Sequence, residues 1–225
     1  MIVLLFDVDG TLINTRGAGR DAMDAALSAE FGIHQSSDDL STLGRTDRGI
    51  GAAMFRRHGI EDNVDNWRRL VAAYLRRLPD SLHRLRGLLL PGVGELLDVL
   101  AARRDVAVGL LTGNVQQAAR IKLDHFGIHG HFAFGGYGDD HPDRDDVART
   151  AQRAAADHLG GPRRLRRVIV IGDTTLDVRC ARTIGATAVA VASGLCPAAE
   201  LQAARPDLLL ENLADARPLL ALCGE

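Results

Sequence analysis

Five apolar residues in a row, Ile2–Phe6, run directly into Asp7-Val8-Asp9-Gly10. A strand alternates its side chains between two faces, so a run with no polar member fits a strand covered on both sides. Such strands belong to parallel sheets sandwiched between helices. The carboxyl edge of an open parallel sheet is where ligands bind, and two carboxylates stand there.

Similar apolar runs recur at 106–112, 168–172 and 186–191, with shorter ones at 131–134 and 207–210. Helical patterns lie between them: Val93, Leu96, Leu97 and Leu100 form one apolar stripe, and Val147, Ala151, Ala154 and Ala155 form another. Strands alternating with helices predict an α/β fold with a Rossmann-like, mainly parallel sheet. Residues 16–87 break the alternation. Met23, Leu27 and Phe31 make a helical stripe, as do Ile50, Ala53 and Met54, and a third runs through Trp67, Leu70, Val71, Tyr74, Leu75 and Leu78. Gly32 and Gly59 read as helix stops. The expected organisation is a Rossmann-like core at 1–15 and 88–225 with an inserted all-helical cap domain at 16–87.

The 225 residues are 46% hydrophobic and 25% charged, which suits a globular chain with a full core. Aromatics are 4%, so aliphatic residues and alanine must fill that core. A formal charge of −2 gives no electrostatic case for a nucleic-acid or membrane partner, and the basic run at 162–167 reads as a solvated connection. No apolar run approaches the roughly 20 residues of a membrane helix, and the first run lacks the basic flank of a signal peptide. Cys180, Cys196 and Cys223 are odd in number and lack CxxC spacing, which predicts free thiols packed in a reducing, cytoplasmic compartment. A monomer or homodimer is expected.

The predicted strand ends supply Asp7 and Asp9, then Thr112-Gly113-Asn114, then Asp173 with Asp177 behind it. Carboxylates crowded at one edge repel unless a cation sits among them, and hard oxygen ligands suit Mg2+. A carboxylate nucleophile beside Mg2+ suits phosphoryl transfer through an aspartyl-phosphate. Asp7 and Asp9 can face one pocket. One must be ionised to attack and the other must carry a proton, so metal is expected to lower one pKa and reduced solvation to raise the other.

Asp7-Val8-Asp9-Gly10-Thr11-Leu12 resembles the first signature of the haloacid-dehalogenase-like hydrolases. Leu110-Leu111-Thr112-Gly113-Asn114 is similar to their second signature and Gly172-Asp173-Thr174-Thr175-Leu176-Asp177 to their fourth. The set spans the chain in the family's order. The resemblance implies that Asp7 attacks phosphorus and binds Mg2+. It implies that Asp9 protonates the leaving alkoxide, deprotonates the hydrolytic water and gives its backbone carbonyl to the metal. Thr112 would bind a phosphoryl oxygen with help from the N–H groups of Gly113 and Asn114, Asp173 would complete the metal ligands, and Asp177 would orient the site.

The family's third signature places a lysine at the start of the helix before the strand at 168–172. The residues here are His141-Pro142-Asp143-Arg144-Asp145-Asp146, with no lysine. Asp143 can cap the helix, and Arg144 in its first turn is the candidate substitute. The chain's sole lysine, Lys122, lies about two turns into the preceding helix and is expected on the surface. The insert stands where this family carries a mobile cap, which suits a small phosphorylated metabolite as substrate. Leu43-Gly44-Arg45-Thr46-Asp47 is similar to a segment of phosphoglycolate phosphatases, with Arg45 as the expected contact for a second anionic group and Thr46 or Asp47 as a helix cap.

The leading expectation is a phosphatase most similar to the phosphoglycolate phosphatase group. The intact Asp-x-Asp speaks against a dehalogenase, and a cap without lysine speaks against a phosphonatase. A sugar-phosphate mutase and a catalytically silent module on the same fold are the alternatives.

Overall fold

The computed structural model describes residues 1–34 and 43–224. In chain order the elements are β1 (Ile2–Phe6), β2 (Ile13–Asn14), α1 (Ala18–Phe31), α2 (Asp47–Arg57), α3 (Val64–Leu85), β3 (Leu88–Leu89), α4 (Val93–Ala101), β4 (Val106–Leu111) and α5 (Gln116–His125). Then follow β5 (Gly135–Gly136), α6 (Arg144–His158), β6 (Arg167–Gly172), α7 (Thr175–Thr183), β7 (Thr187–Val191), α8 (Ala198–Ala203), β8 (Leu208–Leu210) and α9 (Arg217–Leu222).

Six strands form one sheet in the order β5-β4-β1-β6-β7-β8, and every pairing in it is parallel. The chain first builds outward from β1 through β4 and β5, then crosses to the other side for β6 to β8. That reversal puts β1, β4 and β6 side by side at the switch point, where the carboxyl ends leave a crevice. The fold is an α/β core of Rossmann type with an inserted helical cap.

The continuous apolar run of β1 has the expected cause. Ile2, Leu4 and Phe6 join one core with Leu96, Leu97 and Leu123, while Val3 and Leu5 join another with Val147, Ala151 and Val178. Each such side chain is worth about 1.5–3 kcal/mol of burial, so both faces of β1 are held. The predicted strand at 131–134 is a correction. His129–His131 is a short 3-10 turn, and the strand falls at Gly135–Gly136 instead. Gly109 explains why the chain can pass so close, since a Cβ there would lie 2.3 Å from the Phe134 ring.

Three helices make up the described part of the insert, and residues 35–42 of the predicted cap lie outside the described residues. Gly32 ends α1 in the left-handed conformation at φ 69°, as its place after the apolar stripe predicts. Met23 and Leu27 of α1 pack with Leu70, Tyr74 and Leu78 of α3, and Val115 and Ala118 of the core join the same cluster. The insert therefore rests on α5. An antiparallel ribbon pairs Ile13 with Leu89 and Asn14 with Leu88 where the chain enters and leaves the insert. This ribbon is not among the expectations from sequence.

Candidate active site

The parallel strands deliver Asp7 from β1, Thr112 from β4 and Asp173 from β6 to one edge, all buried. Carboxylate oxygens of Asp7, Asp173 and Asp177 lie within 4.8 Å of one another. Asp177 is fixed by a capping box at the start of α7. Its Oδ2 accepts hydrogen bonds from the Thr174 N–H at 3.0 Å and from the Thr174 hydroxyl at 2.6 Å. Thr11 donates to Asp173 Oδ1 at 3.3 Å.

Arg144 is drawn into this cluster from the first turn of α6, where Asp143 caps the helix by accepting from the Asp145 N–H. Its guanidinium is 3% exposed, lies 2.9 Å from Asp7 Oδ2 and bonds Asp177 Oδ1. It also donates to the Gly44 carbonyl of the insert at 3.0 Å. Burial pulls against the charge, but the carboxylates of Asp177 and Asp7 outweigh it, so the guanidinium stays ionised. Asp173 forms no ion pair among the described residues, and the Arg144 charge lowers its pKa only in part. Burial, then the charges of Asp7 and Asp177, push it up to about 8. Burial leads the causes that raise Asp177 to about 6. Three carboxylates meet here beside one guanidinium, and hard oxygen donors of this kind fit Mg2+. Asp7 and Asp173 can offer carboxylate oxygens to an ion.

Asp9 turns away from this cluster. Its Oδ2 accepts from Lys122 Nζ at 2.6 Å and from Asn114 Nδ2 at 2.9 Å, and its Oδ1 accepts from the Thr15 hydroxyl at 3.4 Å. Two expectations are corrected here. Lys122 is 4% exposed rather than on the surface, and its Nζ also donates to Asn114 Oδ1 at 2.6 Å. The Asp9 carboxyl is not raised overall. Burial raises it, but the Lys122 charge and the hydrogen bonds of Lys122, Asn114 and Thr15 together bring it below its ordinary value. The sequence does carry a signal for Lys122. Val115, Ala118, Ala119, Lys122 and Leu123 follow helical spacing along one buried face of α5, and the lysine sits in that stripe.

Thr112 Oγ1 accepts from Asn114 Nδ2 at 2.8 Å and from the Asn114 N–H at 3.3 Å. Asn114 thus links Thr112, Asp9 and Lys122 through its side chain, a role beyond the backbone contact expected of it. Gly113 meets the insert directly, because a Cβ there would lie 2.2 Å from the Arg45 carbonyl oxygen. The first turn of α2 is bonded across this contact. The Asp47 N–H donates to the Gly113 carbonyl at 2.7 Å, the Val115 N–H donates to Asp47 Oδ2 at 2.8 Å, and the Arg48 N–H donates to the Gly138 carbonyl at 3.3 Å. Thr46 is the helix cap, accepting from the Gly49 N–H at 3.0 Å and donating to the Pro142 carbonyl at 3.2 Å. Burial is the chief cause that pushes Asp47 up to about 6.

The insert closes over a cavity of about 480 Å³ that has Asp7, Asp9, Thr112 and Asp173 on its floor. Arg45 lines its upper wall and donates to the Gly49 carbonyl at 3.0 Å, and Arg16 and Arg20 line the side toward α1. Asp139 is a loop residue whose Oδ2 accepts from the Gln116 N–H. The three cysteines are buried and free.

Carboxylates crowded under a helical lid, at the switch point of a parallel sheet, are the arrangement of capped α/β hydrolases. The model of the haloacid dehalogenase-like hydrolases matches residues 4–191, and the chain belongs to that family. It is 30% identical to a phosphoglycolate phosphatase of Synechococcus elongatus, over 96% of this chain and 95% of that one. It is 24% identical to a phosphoglycolate phosphatase of Agrobacterium fabrum, over 96% and 91%. The solved structure of a hydrolase from Pseudomonas syringae shares the fold with a TM-score of 0.72 over the whole of both chains, at 24% identity. Family and relatives together make this chain a phosphatase, similar to the phosphoglycolate phosphatase group.

Proposed function

We propose that the chain is a Mg2+-dependent phosphatase that hydrolyses a small-molecule phosphate monoester through an aspartyl-phosphate on Asp7, with a preference like that of phosphoglycolate phosphatases. The observation that carries this reading is the pairing of Asp7 with Arg144 in the lining of the cavity under the insert, beside Asp173. Asp7, the Asp9 carbonyl and Asp173 would hold Mg2+. When bound, the ion neutralises phosphoryl oxygens and lowers the charge repulsion felt by an attacking carboxylate.

Asp7 Oδ attacks phosphorus as the ester P–O bond breaks, and the departing oxygen takes a proton from Asp9. Water then attacks the phosphorus of the aspartyl-phosphate and gives its proton to Asp9, which frees phosphate and restores Asp7. The Lys122 bond favours Asp9 as a carboxylate, which suits the second step. For the first step, an arriving phosphoryl dianion raises the Asp9 pKa by like-charge repulsion. Thr112, with the N–H groups of Gly113 and Asn114, would bind phosphoryl oxygens, and Arg144 would offset their charge where other members use lysine. Asp177 would orient Arg144. Arg45 would meet a second anionic group such as a carboxylate.

The β2–β3 ribbon and the apolar cluster centred on α1–α3 support boundaries of 16–87 for the cap and of 1–15 and 88–225 for the core. Among the described residues no helix is long and apolar enough to cross a membrane. Buried free thiols support a cytoplasmic setting, and action as a monomer or homodimer is part of this reading.

The test is phosphate release from a panel that includes 2-phosphoglycolate, sugar phosphates and p-nitrophenyl phosphate, with and without Mg2+, beside Asp7→Asn. Release that needs both Mg2+ and Asp7, and that glucose 1,6-bisphosphate does not stimulate, is the expected result. Equal release from Asp7→Asn sinks the reading.

A further inference from the structure

The chemistry above asks of Lys122 only that it favour Asp9 as a carboxylate, yet it is the sole lysine in a chain with 27 lysines and arginines, and it is buried in the site. An ammonium taken out of water is kept only where its hydrogens find partners. Two are on the core side, Asp9 Oδ2 and Asn114 Oδ1, each at 2.6 Å. The cap forms the roof. A Cβ added at Gly19, in the first turn of α1, would lie 3.2 Å from Nζ and 3.6 Å from the Tyr74 hydroxyl of α3. Glycine at this position leaves room for the ammonium beneath the helix.

We propose that Lys122 is a positioning residue that holds the Asp9 carboxylate in its working orientation only while the cap helix α1 is docked above it. The charge-assisted bond from Nζ is the shortest that Asp9 accepts, so it dominates the side chain's placement. Lys122 donates to Asp9 and Asn114, whereas Arg144 holds Asp7, so the two cations serve different carboxylates. Lifting α1 removes the roof, admits water to the ammonium and frees its four-carbon stem. Closure over substrate and placement of the acid–base residue become one event. The inference rests on the phosphatase reading.

Two variants test it, Lys122→Met and Gly19→Ala, the second adding a methyl on the cap side with the lysine intact. Lys122→Met is expected to lower kcat about 100-fold while KM and inhibition by inorganic phosphate change less than about 3-fold. Gly19→Ala should lower kcat in the same direction, about tenfold. Adding Lys122→Met to Asp9→Asn should cost nothing further, because both act through one group. Independent, multiplying losses overturn the proposal, as does wild-type kcat in Lys122→Met. So does phosphate inhibition weakened in step with kcat, which would put Lys122 on the phosphoryl group itself. If the wild-type protein turns over no ester, the phosphatase reading fails separately. The tie is then judged by hydrogen exchange, where unchanged protection of the first turn of α1 in Lys122→Met overturns it.

Discussion

Arg144 and Asp7 meet at 2.9 Å with both side chains almost wholly buried, although 137 residues of chain separate α6 from the end of β1. The same guanidinium bonds Asp177 and reaches the Gly44 carbonyl, so core and insert share one cation. Removing a buried partner leaves carboxylates uncompensated, at a typical cost of about 3–5 kcal/mol. Arg144→Leu should therefore melt well below the wild type, and Mg2+ should restore part of the loss because it supplies charge to the same cluster. Thermal melts of both proteins with and without Mg2+ check this. A loss that Mg2+ leaves untouched would separate Arg144 from the metal's neighbours.

The carboxyl at Asp173 gives the metal-free protein a pH dependence with a definite sign. Its folded pKa, raised to about 8 chiefly by burial, stands above its ordinary value of 3.8. The folded state therefore holds the proton more tightly than the unfolded chain. Its contribution to stability is full below about pH 4, declines as pH rises, and is exhausted above about pH 8. Asp177 and Asp47, each raised to about 6 chiefly by burial, act in the same sense over the lower part of that range. The metal-free wild type should lose stability from about pH 5 to about pH 8, and Asp173→Asn should flatten the upper half of the slope. Denaturant midpoints across that range measure it.

Much of the site is legible in the sequence, because strand ends in a parallel sheet are predictable places. The runs ending at Asp7, Thr112 and Asp173 need only apolar continuity, and Arg144 needs only a helix-capping Asp143 before it. The surface expectation for Lys122 fails because it weighs distance along α5 and leaves out the face. Counting from Val115 and Ala118 turns the lysine inward. The expectation for the Asp9 environment fails with it, since the Asp9 pKa depends on an ammonium 113 residues away. The β2–β3 ribbon is two residues on each side, too short to leave a period in the sequence.

Gly113 gives a way to obstruct cap docking without touching a charged group. A Cβ at this position meets the Arg45 carbonyl oxygen at 2.2 Å, and backbone cannot step aside as a flexible side chain can. Gly113→Ala should lower kcat/KM by about 100-fold, since a displacement near 1 Å is enough for that. Its melting temperature should move little, because the sheet and its two apolar cores are unchanged. Steady-state kinetics beside a melt distinguish this outcome from general unfolding.

Arg45 should act on selectivity rather than on chemistry. It lines the cavity from the insert, with its guanidinium on the Gly49 carbonyl. Arg45→Ala should cut kcat/KM for 2-phosphoglycolate by about tenfold or more relative to p-nitrophenyl phosphate, which has no carboxylate to lose. An unchanged ratio would remove Arg45 from substrate recognition.

The two-residue ribbon of β2 and β3 places the start and the end of the helical insert side by side. The six-stranded sheet therefore sees one narrow doorway, whatever the number, length or shape of the helices beyond it. Mutations that remodel those helices need not be matched by changes in β1, β4 or β6. A remodelled upper part on an unchanging base lets one arrangement of carboxylates be offered to many different leaving groups, provided that the first turns of α1 and α2 keep their seats on the core.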